Sequence, residues 1–530
     1  MVATTFAADT PLAITGIVRT KGIAGNWFWW NLVMSSMLWT FFYARLWRRT
    51  GLLTDVEFIE LRYSGRAAAF LRGLKAAYSA ILVNCIVLGW VILAMTKIGV
   101  VTLGLSRVDA ISLFGIETSP EAALTFLLVA LALVYSVLSG MWGVVVTDFI
   151  QFAMAMTGSI VLAVAAVRHV GGIGNIRPML YSSEAAPASV LQFAPEPGAG
   201  QLALITFGVY LGVQWWAFRN ADGGEYIGLR AMACRDDRHA RLSILWYSFA
   251  HYVLRPWPWI LVGLVSIIVY PNLSDPELGY PKMMIEFLPV GMRGLMVASL
   301  LAAFMSTVDT HLHWGASYLA NDIYKRFMHP SASEKHYVLA ARVGMILMAA
   351  LAVWASSIMT SIEWAWKFLV AIGAGVGLVY LLRWYWWRIN AWSEISAMLC
   401  SLGAAAALFS SRLGAREYEG VRLLMIVAAS TAVWVAVTFL TRPTKPENLR
   451  EFYRRVRPGG PGWRPIEREL DLQPHPLTRD LIGALSGAAF IYTSLFALGK
   501  ALLGFSVAEW LPLGAIALVS GIITIVCLRE

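Results

Sequence analysis

Ser306 and Thr307 stand side by side in the apolar run Leu300-Leu301-Ala302-Ala303-Phe304-Met305-Ser306-Thr307. A hard cation such as sodium wants a cage of oxygens, mostly neutral ones if it must also be released. Adjacent hydroxyls on one helix, facing carbonyls freed by a break in another, supply such a cage. On residue type alone, packing is the simpler reading, because small residues let membrane helices approach closely. A few residues on, Asp309 and His313 are four apart, with His311 between them. That spacing puts Asp309 and His313 on one helix face and permits a metal site or a catalytic dyad. A packing or water-contacting histidine is the plainer reading.

Other polar residues interrupt apolar stretches. His251 and Arg255 are four apart, as are Glu363 and Lys367, and the latter two can pair with each other. Asp148 lies just inside an apolar helix, where a carboxylate is costly and a functional candidate by default. An acid at a helix start also suits the macrodipole. Gln214, Trp215 and Trp216 offer a hydrogen bond and a stacking face to a solute, while Thr5, Asp9 and Thr10 surround a proline.

The elements that position these residues are membrane spans. The chain has 530 residues, is 58% hydrophobic and only 14% charged, and carries 23 Trp. A soluble domain has about 25% charged residues. Apolar stretches of about 20 residues, enough to span a bilayer, lie near 27–47, 76–104, 122–140, 143–167, 201–218, 243–270, 291–320, 338–360, 365–388, 391–411, 421–441, 479–503 and 508–528. With a shorter piece at 1–18, these predict an all-α integral membrane protein of about 13 full transmembrane helices plus a partial first one. The net charge of +10 resides in loops. It therefore reads as topology and not as a nucleic-acid surface: the basic loops at 48–75, 219–242 and 442–479 belong in the cytoplasm. Cys85, Cys234, Cys400 and Cys527 are scattered, without metal-ligand spacing. No P-loop is present, and no obligate protein partner is evident.

Residues 1–18 have no basic n-region, so a signal peptide is a poor fit. Asp9-Thr10-Pro11 predicts an interrupted, protein-lined helix. An interrupted helix that begins mid-span is expected when a start codon is placed too late, which predicts a longer natural chain.

Three stretches resemble the sodium/solute symporter family of sodium-coupled glucose, proline and pantothenate-type carriers. They are Leu300 to Thr310, a small-residue helix ending in Ser-Thr; Ser139-Gly140-Met141-Trp142-Gly143 leading into Thr147-Asp148-Phe149-Ile150-Gln151; and Thr54-Asp55-Val56-Glu57-Phe58-Ile59-Glu60-Leu61-Arg62-Tyr63. The resemblance implies two inverted five-helix repeats, 1–168 and 201–390, forming a transport core at 1–390. Two further helices at 391–441, a basic cytoplasmic loop at 442–478 and a C-terminal two-helix tail at 479–530 follow. Interrupted helices are expected at matching places in the halves, near Asp9-Pro11 with Gly16, and near Gly208, Gly212 and Gly223-Gly224.

The resemblance further implies sodium-coupled symport of a small organic solute by alternating access, with no enzyme chemistry. It places sodium, the co-transported ion, between the carbonyls of Ala3, Phe6 and Ala303 and the hydroxyls of Ser306 and Thr307, with Asp148 on the cation path. The expected solute contacts are Thr5, Asp9, Gln214, Trp215 and His251. A non-transporting sensor or remnant of the same fold, a proton-coupled carrier, and a membrane-embedded enzyme using Asp309, His311 and His313 are the rival readings.

Overall fold

The computed structural model describes residues 5–52, 54–113, 115–138, 141–196, 198–472 and 476–529. Its architecture is helical, as apolar chains must be where no water can satisfy the backbone. Ten described helices are long and apolar enough to cross a membrane, or eleven if one bent pair counts as a span.

The first helix, α1 (Asp9–Lys21), follows a non-helical stretch at 6–8. The break therefore precedes Asp9, and the expectation that Asp9-Thr10-Pro11 interrupts the helix is corrected. Pro11 is the third residue of α1, where the first-turn N–H groups have no intrahelical acceptor and a missing donor costs nothing. Next comes α2 (Val33–Leu38, a π turn at Trp39–Tyr43, then Ala44–Thr50). It is followed by α3 (Gly65–Thr102), α4 (Pro120–Leu138) and α5 (Met141–His169). A short antiparallel hairpin, Ile111–Leu113 with Ile116–Thr118, joins α3 to α4.

The second half begins with α6, Gln201–Val209 continuing through a π turn at Tyr210–Gln214 to Trp215–Ala217. Phe218 then turns extended (φ −62°, ψ 136°) and ends it. The expected interruption of α6 thus falls after Ala217, while Gly208 lies within helix. Gly223 sits in the ensuing turn at φ +74°, and a Cβ there would meet the Trp39 ring at 2.0 Å, so only glycine fits. The series continues with α7 (Asp237–Val269), α8 (Val290–Met328), α9 (Glu334–Ile358) and α10 (Ile362–Gly373). The last is bent 45° from α11 (Gly377–Tyr385).

Packing repeats with a shift of five helices. α1 lies on α7 as α6 lies on α2, α3 on α9 as α8 on α4, and α5 on α8 as α10 on α3. Because five is odd, a shift by five reverses direction across the membrane, which is the inverted repeat expected.

After α11 come α12 (Ala391–Phe409), α13 (Glu419–Leu440), α14 (Pro446–Val456), α15 (Thr478–Leu502) and α16 (Val507–Leu528), with shorter helices in the connections. The segment before α15 carries helix as well as loop, and Trp463 Nε1 donates to the Trp384 carbonyl at 2.7 Å, seating it beneath α11. The two-helix tail rests on α2. Added side-chain atoms at Gly483 and Gly487 would strike Phe41 and Met37, and Asp480 pairs with buried Arg45 at 2.9 Å.

The Thr54–Tyr63 stretch also acts as a fastener. Asp55 pairs with Lys75 at 3.0 Å and accepts from Tyr318 of α8. Arg62 donates to the Arg383 carbonyl at 2.8 Å, and the Tyr63 hydroxyl to Glu394 at 2.5 Å.

Candidate functional site

Between the start of α1 and the end of α6 lies a cavity of about 310 Å³, walled also by α2, α3, α7, α8 and α10. Two interrupted helices border it, and a broken helix leaves space and polar backbone where an unbroken one would fill the bundle.

The non-helical start is held by α7. Arg255 follows a π turn at Ala250–Leu254, and its guanidinium donates to Thr5 Oγ1 at 2.8 Å and to the Thr5 carbonyl at 2.9 Å. It also meets His251 Nδ1 at 3.1 Å. Arginine has no acceptor, so that ring nitrogen accepts and the imidazole proton sits on Nε2. The guanidinium lies 5.4 Å from the ring centres of both Phe6 and Trp259. Phe6 in turn meets Phe152 of α5 edge-on at 5.9 Å. The second residue of the described chain is thereby clamped between α5 and α7.

Asp9, at the first turn of α1, is 3% exposed and lines the cavity. Its Oδ2 accepts from Trp366 Nε1 of α10 at 3.2 Å. Its Oδ1 is buried and has no hydrogen-bond partner among the described residues. Thr5, Ala7 and Thr10 face the same space, as does Thr307 from α8. Thr307 Oγ1 donates to the Ala303 carbonyl at 2.9 Å, which leaves the hydroxyl's lone pairs directed away from that carbonyl and open to a cation. Ser306 is half-buried on the adjoining face.

His251 lines the cavity, stacked on Tyr247 at 5.2 Å and edge-on to Trp29 at 5.6 Å. Gln214 and Trp215 do not line it. Gln214 is buried and spends its amide on the Phe28 carbonyl at 2.6 Å, and Trp215 donates to the Leu211 carbonyl of its own helix at 2.9 Å. Ala3 lies outside the described residues. For Asp148 only the backbone, within α5, is described.

His311 and His313 part ways. His311 lines the cavity, and its Nδ1 meets Asn84 Oδ1 at 2.5 Å while Asn84 Nδ2 donates to the His311 carbonyl at 2.7 Å, stapling α8 to α3. His313 points away, with Nε2 3.3 Å from Asp309 and 3.0 Å from the Ser136 carbonyl. Among the described residues no group of three or more His, Cys, Asp or Glu could hold a metal. Glu363 and Lys367 do pair, at 2.8 Å, but within a larger cluster: Lys21 of α1 meets Glu363 at 2.8 Å, and Lys367 also meets Glu419 of α13.

Several cavity residues carried no sequence signal of their own. Trp366, Asn220, Ser35 and Trp90 are brought to the cavity by the packing of their helices and turns.

The model of the sodium:solute symporter family matches residues 1–401. The osmoregulated proline transporter OpuE of Bacillus subtilis is 26% identical over 336 residues, covering 60% of this chain and 64% of that protein. Sodium/glucose cotransporter 4 of Danio rerio is 23% identical over 424 residues, 72% of this chain and 60% of that protein. The sodium/glucose cotransporter of Vibrio parahaemolyticus is 23% identical over 438 residues, 77% of this chain and 76% of its own. The match thus spans less than two thirds of the length of the first two. A solved structure of a Na+-coupled sialic acid symporter superimposes with a TM-score of 0.60 at 19% identity, over 84% of this chain and 89% of that one, and establishes a shared fold.

Proposed function

Because this chain belongs to the sodium:solute symporter family, we propose that it moves a small organic solute across the cell membrane with co-transported sodium, by alternating access. The observation that carries this reading is the meeting of two oxygen sources on one cavity: the unwound start of α1 and the Thr307 hydroxyl of α8. The Phe6 carbonyl lies ahead of the helical hydrogen bonding of α1, and the Ser306 and Thr307 hydroxyls complete a neutral oxygen set suited to sodium. In this scheme Phe6 and Ala303 contribute carbonyls and Ala3 extends the set, while Asp148, on the same helix as Phe152, serves the cation's exit. The sodium gradient and membrane potential supply the work, about 2.3 kcal/mol per charge per 100 mV.

Thr5, Asp9 and His251 belong to the solute's side of the cavity. Gln214 and Trp215 take a supporting part in α6. The core at 1–390 performs the transport, and the helices after it brace α2 and α11. An enzyme centred on Asp309, His311 and His313 is disfavoured by geometry, since His311 faces the cavity and His313 turns from it.

Thermal melting of the purified chain in NaCl against KCl tests the cation. Sodium should raise the midpoint by several degrees, and Thr307→Ala or Ser306→Ala should abolish the difference. Equal melting in the two salts removes the sodium reading. Uptake of a panel of amino acids, sugars and carboxylates into vesicles with an inward sodium gradient then separates carrier from sensor. Sodium binding without any uptake supports the sensor.

A further inference from the structure

Asp9 is the one carboxylate among the described residues lining the cavity, and it is left half-satisfied. Oδ2 has the Trp366 indole, whereas Oδ1 is buried with no partner among the described residues. A buried acceptor without a donor is costly, and more so when charged. An acid in the first turn of α1 does suit the helix dipole, but that accounts for an acid at the terminus and not for a buried oxygen without a donor in a residue that lines a cavity.

Arg219, which also lines the cavity, pairs with Glu225, and Arg255 donates to Thr5 and meets His251 while its charge also acts on Asp9. Neither gives Oδ1 a donor. The surrounding wall is aromatic: Trp29, Trp90, Trp366, Tyr247 and Tyr252 all face the same space. Aromatic faces attract a cation, the more strongly once it is desolvated. A lone carboxylate oxygen in an aromatic chamber asks for a positively charged group that carries N–H.

We infer that the transported solute bears a protonated amine, which donates to Asp9 Oδ1 and packs against the aromatic wall. The inference deepens the symport reading and rests on it for the solute's passage, though not for its binding. Asp9 is then a binding residue and Trp366 its positioning residue, holding Oδ2 so that Oδ1 faces the chamber.

The test uses the full chain purified in detergent and follows tryptophan fluorescence, which Trp29, Trp90 and Trp366 make sensitive to the cavity. The probes are phenethylamine, protonated at neutral pH, and 2-phenylethanol, the same skeleton with a hydroxyl in place of the ammonium. The amine is expected to saturate at a concentration about tenfold or more below that of the alcohol, as a charged hydrogen bond should allow. Asp9→Asn is expected to remove that preference while leaving the alcohol's response in place. Equal affinities for the two probes in the unmodified protein, or no saturable response to the amine, overturn the inference without any variant.

Melting in NaCl against KCl, run in parallel, tells the two readings apart. Sodium stabilisation without amine preference leaves symport standing and the inference lost. Amine preference without sodium stabilisation does the reverse. If Asp9→Asn abolishes the sodium effect and the amine shows no preference, Asp9 serves the cation and the inference fails.

Discussion

The break before α1 and the break after α6 border one cavity, yet their carboxylates live differently. At the end of α6, Asp222 is 1% exposed, and both its oxygens are used: Oδ2 takes Arg383 at 2.6 Å and Trp384 at 2.9 Å, and Oδ1 takes the Gly224 amide at 3.2 Å. Its carbonyl accepts from Trp47 at 2.7 Å, and Arg383 goes on to Glu394 at 3.3 Å. At the start of α1, Asp9 is equally buried but has one indole and one open oxygen. Burial is alike in the two, and saturation differs: the α6 break is locked by its partners, whereas Asp9 Oδ1 in the α1 break has no hydrogen-bond partner among the described residues.

Four substitutions sharpen that contrast, all read by thermal melting in detergent. Asp222→Ala should have the largest effect, about 3–5 kcal/mol, because it strands buried Arg383. A variant that melts like the unmodified chain would show that Asp222 does not hold the α6 break. Next, Gly223→Ala should cost about 1–3 kcal/mol through positive φ and collision with Trp39. Pairing it with Trp39→Ala should recover the collision part only, and full recovery would assign no cost to the backbone.

Gln214→Leu removes one of two donors to the Phe28 carbonyl, which keeps Asn31 Nδ2 at 2.8 Å, so the cost is that of one hydrogen bond, about 0.5–1.5 kcal/mol. Its sodium response should be unchanged, and a lost response would move Gln214 into the cation or solute machinery. Smallest is Asp9→Asn, expected within about 1 kcal/mol of the unmodified chain, because the amide retains an acceptor for Trp366 and sheds a buried charge. A loss as large as that for Asp222→Ala would erase the distinction between the two breaks.

How far the site could be read in the sequence follows from which contacts are local. Thr5, Asp9 and His251 stand out as polar residues in apolar runs, whereas Thr307 is marked by the family resemblance, and all four face the cavity. Gln214 and Trp215 stand out in the same way and do not. A π turn covers Tyr210–Gln214, ending on Gln214 and just before Trp215. The extra residue in such a turn shifts the following side chains around the helix, and no spacing rule announces it. Trp366 was passed over because it is one tryptophan among 23, and its link to Asp9 spans 357 positions.

Sequence alone settled the solvent and the scale of this protein. Apolar runs of span length, charge confined to loops, and residues that break helices are local properties, and lipid allows such a chain few structures other than helices. What only the tertiary structure decided is which broken helix is saturated and which is open. That depends on helix rotation and on partners hundreds of residues away: Arg383 for Asp222, Arg255 for Thr5, Trp366 for Asp9. The two aspartates are the same residue type in similar breaks, and the number of donors within reach of each is set by the packing of the bundle.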